Sequence, residues 1–235
     1  MDDVEQLITM QAMGKTDSAR QNQMAELAEQ LREKLEASPD NPDGWAMLGQ
    51  TYMRTERYED GAEAFQRLAG ITEKDPSASS VAWGLSAQAL YFQSEGQMTS
   101  GVMAAIESAR ALNPNEVNSL GLLGINAFSQ QNYREAIEYW ETIVEVTPDH
   151  PQIASIRGGI AEAYNNRGIA YDEKGEPEKA IADYTEAIRL NPNDAAAYDN
   201  RGSAYDEKGE HEKAIADYTQ AIRLNPNYAA VYTNR

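Results

Sequence analysis

Residues 164–231 alternate large and small side chains at helical spacing, and they do so twice. Tyr164, Gly168, Tyr171, Ala180, Tyr184, Ala187 and Pro192 return 34 residues later as Tyr198, Gly202, Tyr205, Ala214, Tyr218, Ala221 and Pro226. Of the 34 paired positions, 28 are identical. Large residues in the first half of each unit face Ala and Gly in both halves, as two closely packed antiparallel helices require, and "NPN" ends the second helix. The pattern predicts an all-α chain of helical hairpins. Upstream, Trp45, Leu48, Gly49, Tyr52, Tyr58 and Phe65 follow it over 42–75, with Gly61 where Ala is usual and Pro76 three residues late. Leu120, Leu123, Gly124, Tyr133, Ala136, Trp140 and Pro148 follow it over 117–150. Between them, 81–114 keeps two helices and Pro114 but lacks the usual glycine, and "SEGQMTSG" is an atypical turn. Residues 4–13, with Val4, Leu7, Ile8 and Met at helical spacing, predict a short helix that needs a surface to pack on.

The cadence breaks once. Counted forward from Pro148, the next hairpin starts near Pro151 and puts its glycine at Gly158; counted back from Pro192, it starts near Ala161 and puts its glycine at Gly168. Two hairpins do not fit in ten residues. One continuous helix from Gln152 to Lys174, about 35 Å long, satisfies both counts. Its first half closes the upstream module and its second half opens the downstream one. Ten residues turn a helix by about 1000°, about 80° short of three full turns, so the two concave faces are expected to be rotated apart. Gly158 and Gly159 each weaken a helix by about 1 kcal/mol relative to Ala, which leaves a hinge, or close packing against the helix of Trp140, as the alternatives.

Composition narrows the chemistry. The 235 residues suffice for one long or two short domains. No run approaches the ~18 apolar residues of a membrane span, and "MDDVEQLITM" lacks the basic start of a signal peptide. With no cysteine, disulfides, thiolate metal sites and thiol catalysis are excluded; the two histidines, His150 and His211, stand far apart in predicted turns. A net charge of −18 disfavours nucleic acid and suits a basic partner or simple solubility. "GxxxxGK[ST]" and "GxGxxG" do not occur, so no nucleotide or other cofactor is implied. The acids of "YDEKGE" sit near an exposed helix end beside Lys174 and Lys208, a poor setting for acid/base catalysis, and the chain reads as a non-enzyme.

The 34-residue hairpins resemble the tetratricopeptide repeat, TPR. The stretches "LREKLEASPDNPDGWAMLGQTYMRTERYEDGAEAFQRL", "QALYFQSEGQMTS" and "LLGINAFSQQNYREAIEYWETIVEVTPD" narrow this over about residues 20–163. They resemble the TPR domain of bacterial cytochrome c maturation, the CcmI-type subunit and its NrfG relative. That resemblance implies a periplasmic, non-catalytic accessory of haem-lyase assemblies that holds the C-terminal segment of an apocytochrome. Residues 164–235 instead resemble generic bacterial TPR arrays. All eight Met and all three Trp precede position 141, and eight of thirteen Tyr lie from 164 onward. The expected organisation is a module over 1–163 and a second over 164–235, joined through the shared helix. Near-identical repeats, the register clash and "YAAVYTNR", which opens a repeat without a closing helix, point to an engineered helix-sharing fusion, with natural gene fusion as the alternative and a homo-oligomer as one use.

TPR proteins line a concave face with fixed positions of each first helix, where peptides lie. By that resemblance the upstream candidates are Ala46, Gln50, Met53 and Arg54, then Gly121, Ile125, Phe128 and Ser129, a mixed apolar set suited to an amphipathic helix or a peptide carboxylate. For Met53 and Phe128, ordinary packing between helices is an equal alternative. Downstream they are Asn165, Ile169, Asp172 and Glu173, then Asp199, Ser203, Asp206 and Glu207, an acidic set without the lysine of carboxylate-clamp repeats. Basic peptides suit it, and a solvated acidic face is the plainer reading.

Overall fold

The computed structural model describes residues 18–226, with side chains from residue 23. The helix expected over 4–13 and the opening of a repeat at 228–235 lie outside the described residues. Within them are eleven helices and no strand: α1 Ser18–Ala37, α2 Pro42–Arg54, α3 Tyr58–Ile71, α4 Pro76–Gln93, α5 Ser100–Leu112, α6 Val117–Ser129, α7 Tyr133–Val146, α8 Ile153–Asp172, α9 Pro177–Leu190, α10 Ala195–Glu207 and α11 His211–Leu224. The chain forms two compact units that divide between Leu122 and Leu123.

In the first unit, Met24, Leu27, Ala28, Leu31 and Leu35 make one stripe of α1, buried against Trp45, Leu48 and Tyr52 of α2 and Ala64 of α3. The Phe65 ring fills the space over Gly49, where a Cβ would lie 2.5 Å from Phe65 Cε1. Proline at the first turn starts α2 and α4, and the Asn41 and Asp75 side chains accept from free N–H groups there. α4 buries small residues, among them Ser80, Ala82, Gly84 and Ala87. Their hydroxyls are satisfied: Ser79 Oγ donates to Ala69 O at 3.0 Å and Ser80 Oγ to Ala109 O at 2.9 Å. Gly84 has no aromatic over it. Its space holds the buried carboxylate of Glu116, which accepts from Ser119 N at 2.7 Å and Asn118 N at 3.1 Å and so caps α6.

In the second unit one contact recurs. Gly124 lies under the Trp140 ring, Gly168 under Tyr184 and Gly202 under Tyr218, always a glycine with an aromatic sixteen residues on. A Cβ at Gly168 or Gly202 would lie 2.6 or 2.7 Å from the ring, so only glycine admits it. The turn after each first helix needs a left-handed residue, Gly175 at φ 71° and Gly209 at φ 74°, where the upstream repeats place Glu56 and Gln131.

α8 is one uninterrupted helix of 20 residues, where the regular first helix α10 has 13. No turn or hinge interrupts it at 158–160. Gly158 does not act as a repeat glycine: it is exposed, and a Cβ there would meet nothing within 4 Å. The aromatic such a glycine needs comes sixteen residues later, and for Gly158 that position is Lys174, past the end of the same helix. Gly159, half-buried, is the one that packs on Trp140, with a Cβ position 3.3 Å from the ring. Ile160, Ala161 and Ala163 are buried in the first half of α8, and Gly168 receives Tyr184 of α9 in the second.

Candidate functional site

The sequence-nominated residues fall on first helices of the hairpins, and the structure sorts them by what they touch. On α2, Gln50 and Arg54 are exposed. Met53 is half-buried and packs around the Ala62, Phe65 and Ala89 cluster together with Leu85 and Leu90. Met53 therefore serves inter-helix packing and also borders the surface. Beside it α4 adds a strip the sequence reading passed over: Val81, Leu85 and Phe92 share one helix face, with Val81 46% and Phe92 47% exposed. The Phe92 ring sits 5.6 Å from Tyr58. The spacing of 81, 85 and 92 was the available signal, obscured because this hairpin lacks the glycine that sets the register elsewhere.

On α6, Ile125 is 44% exposed and open to a partner. Phe128 is half-buried: its ring lies 5.6 Å from Tyr133 and 5.8 Å from Trp140, so like Met53 it packs between helices and also borders the surface.

The α8 and α10 set is acidic and internally bonded. Asn165 Oδ1 accepts from Asn200 Nδ2 at 3.0 Å, which ties the two first helices together. Asp172 Oδ2 accepts from the Tyr184 hydroxyl at 3.2 Å, while its Oδ1 is buried with no partner. Burial, and secondarily the nearby Glu207 charge, pushes the Asp172 carboxyl above the ordinary carboxylate range, against the pull of the Tyr184 hydrogen bond. Asp206, the matching acid, turns instead to His211 Nδ1 at 2.7 Å. Asp199 is half-buried, Glu173 and Glu207 are exposed, and Ile169 lies among the acids at 36% exposure. Lys208, expected beside the acids of "YDEKGE", pairs with Glu210 at 3.4 Å and also reaches across to Glu178 at 2.8 Å.

Two buried ion pairs went unread in the sequence. Arg167 forks onto Asp183 at 2.7 and 2.8 Å, and Arg201 onto Asp217 at the same distances, with both aspartates buried. Each pair is spaced by sixteen, one residue before the Gly–Tyr contact, so the signal lay beside the one that was read. The upstream hairpins carry Leu48 with Ala64 and Leu123 with Tyr139 at these places.

Elsewhere in the first unit a cleft of about 620 Å³ opens over Trp45, Leu48 and Ile71, with Arg32 and Arg67 at its edge. None of the nominated residues lines it. Arg32 is held by Glu36 at 3.0 Å and Asp60 at 3.2 Å. Among the described residues no three His, Cys, Asp or Glu side chains cluster as metal ligands, and no helix is long and apolar enough to cross a membrane.

Paired helices on a 34-residue cadence, all but the α4–α5 hairpin closed by an aromatic over a glycine, define a tetratricopeptide repeat protein. Residues 161–194 and 195–228 match the tetratricopeptide repeat family, and residues 1–154 match the cytochrome c-type biogenesis protein H TPR domain. The chain belongs to this cytochrome c-type biogenesis TPR family. It is 38% identical over 173 residues to the cytochrome c-type biogenesis protein CycH of Pseudomonas aeruginosa, covering 73% of this chain and 42% of that protein. It is 32% identical over 129 residues to the formate-dependent nitrite reductase complex subunit NrfG of Escherichia coli O157:H7, covering 55% of this chain and 63% of that one. The chain thus spans less than two thirds of either relative. Among solved structures, YrrB, a TPR protein with an unusual peptide-binding site, superposes with a TM-score of 0.57 at 18% identity, covering 88% of this chain and 98% of that chain. MamA of Desulfovibrio magneticus RS-1 superposes at 0.50 and 20% identity, covering 79% and 96%. At such identities these likenesses concern the fold alone.

Proposed function

We propose that the chain is a non-catalytic scaffold of cytochrome c biogenesis that holds a peptide or helix of a partner protein, the C-terminal segment of an apocytochrome c, in the periplasm. The observation that carries this reading is the apolar strip of α4, exposed at Val81 and Phe92 and half-buried at Leu85, where Leu85 shares a cluster with Met53 of α2, the helix on which Gln50 and Arg54 are exposed. Its spacing suits the apolar face of an amphipathic helix, and the polar ends of Gln50 and Arg54 suit backbone or carboxylate groups. A preformed face that orients a partner by shape needs no reactive group. Within the second unit, the acidic line of Asp172, Glu173, Asp199, Asp206 and Glu207 suits a basic segment in its own right and would speed its encounter more than tighten it.

Calorimetric titration with an apocytochrome C-terminal peptide tests this. Saturable one-to-one heat is expected, with affinity at least about tenfold weaker in Val81→Lys with Phe92→Lys, since each change removes an apolar contact. No heat at high micromolar peptide contradicts the reading.

The finer proposal is that two kinds of repeat, 1–163 and 164–235, were joined through α8, by engineering or by gene fusion, to make a self-associating scaffold. Its support is the 20-residue α8 and the 28 identities between the last two repeats. Light scattering checks the assembly part: a mass near 26 kDa at every concentration contradicts it.

A further inference from the structure

We propose that the joint between α7 and α8 is a binding site for a dicarboxylate, held between Arg134 and Lys174. It lies wholly within the second unit and is independent of the peptide face proposed above.

Two joints of this unit follow one plan. Arg134 stands ten residues after Gly124, and Glu178 ten after Gly168; Lys174 stands six after Gly168, and Lys208 six after Gly202. The second residue of each second helix thus matches one lysine of the next first helix. At the α9–α10 joint the two are opposite in charge, and Lys208 Nζ lies 2.8 Å from Glu178. At the α7–α8 joint a guanidinium stands where that carboxylate does. Arg134 and Lys174 line one cavity of about 370 Å³, both are exposed, and among the described residues neither has an ion-pair partner. Glu135 lines the same cavity and pairs with neither. Two like charges on one cavity wall repel, and an anion between them turns that repulsion into two attractions.

The rest of the cavity suits the same chemistry. Tyr133 and Tyr171, both half-buried, form its sides. Lys179 of α9 lies 5.3 Å over the Tyr171 ring, and its own charge is met by Glu176. Arg167 is committed to Asp183 and holds the wall rather than a ligand. The first turn of α7 lines the cavity without a side-chain cap on its N–H groups, which adds to the preference for negative charge but does not make the site. The α9–α10 joint shows that one carboxylate satisfies one lysine here. With a second cation in place of that carboxylate, a ligand bearing two carboxylates matches the pair, and the volume is that of a small-molecule site. The two carboxylates come either from a free dicarboxylate or from adjacent acidic side chains of a protein segment. In a chain of net charge −18 the attraction is local, so it competes with long-range repulsion and with salt.

The probe is glutarate, titrated into the full chain at constant ionic strength balanced with sodium chloride and read by amide NMR shifts. Saturable shifts at Arg134, Tyr171 and Lys174 are expected, with a dissociation constant of about 1–10 mM. Arg134→Glu puts a carboxylate where Glu178 stands at the other joint, so the chain then supplies its own anion to Lys174. Glutarate binding is expected to weaken at least about tenfold in that variant, and likewise in Lys174→Gln. Both variants are expected to melt no lower than the parent, because both side chains are exposed. Shifts that stay linear up to about 100 mM, or that chloride alone reproduces, overturn the proposal. Saturable shifts unaltered in both variants also overturn it, because the anion then sits elsewhere. A second arm uses the acetylated, amidated Glu-Glu dipeptide. Binding at least about threefold tighter than glutarate supports the site with a protein segment as its source, and equal or weaker binding supports it with a free dicarboxylate.

Discussion

The Arg201–Asp217 fork sets the energetics of the downstream repeats at the level of single residues. A buried aspartate stripped of its arginine keeps its desolvation cost without the compensating bonds, so Arg201→Ala is expected to destabilise by about 3 kcal/mol in chemical denaturation. Replacing both partners by leucine is expected to cost far less, because no charge is left buried. Asp172 behaves in the opposite sense. Its raised folded pKa means the folded chain binds that proton more tightly than the unfolded chain, so stability falls as pH rises from the ordinary 3.8 through the raised value. Asp172→Asn is therefore expected to melt higher than the parent at pH 7 and to lose the advantage near pH 3. Tyrosine titration gives a further check. Burial and the Glu141 carboxylate, which accepts from Tyr164 at 2.9 Å, push Tyr164 up to about 12, and burial with Glu29 does the same for Tyr52. Their contribution is complete below pH 10 and is lost as pH rises through about 12, so at pH 11 the folded chain is expected to show fewer phenolates than the denatured chain in ultraviolet absorbance.

At the scale of elements, α8 puts two glycines of one helix under opposite demands. Gly158 is exposed and meets nothing, so Gly158→Ala is expected to stabilise by about 1 kcal/mol. Gly168 lies under Tyr184, so Gly168→Ala is expected to cost about 1–3 kcal/mol through overpacking. Urea midpoints of the two variants, moving in opposite directions, check this. The helix itself was legible because nothing between 152 and 174 stops it, and its observed ends fall within two residues of the expected ones. The role of Gly158 was not legible, because cadence alone does not tell whether a second helix follows to supply the ring. α1 was passed over for a related reason: its stripe of Met24, Leu27, Leu31 and Leu35 has helical spacing but no glycine partner. In α4 the register was hidden because a carboxylate, Glu116, occupies the space that aromatics fill elsewhere.

The whole molecule is a repeat protein whose hairpins were read correctly from cadence, while its surfaces were read only in part. Packing positions constrain residue type tightly, so Gly49, Gly124, Gly168 and Gly202 announced themselves. Surface positions do not: Phe128 packs against Trp140 while half-buried, and the exposed Val81 and Phe92 went unread. The central claim is that a partner segment lies on the first-helix face that α2 and α4 present. Methyl-resolved NMR of the full chain with an apocytochrome C-terminal peptide tests it most directly. The account predicts saturable shifts at the Val81 and Leu85 methyls, with Val102 and Ile106, buried in α5, unmoved. Shifts confined to other methyls, or none at saturating peptide, would contradict it.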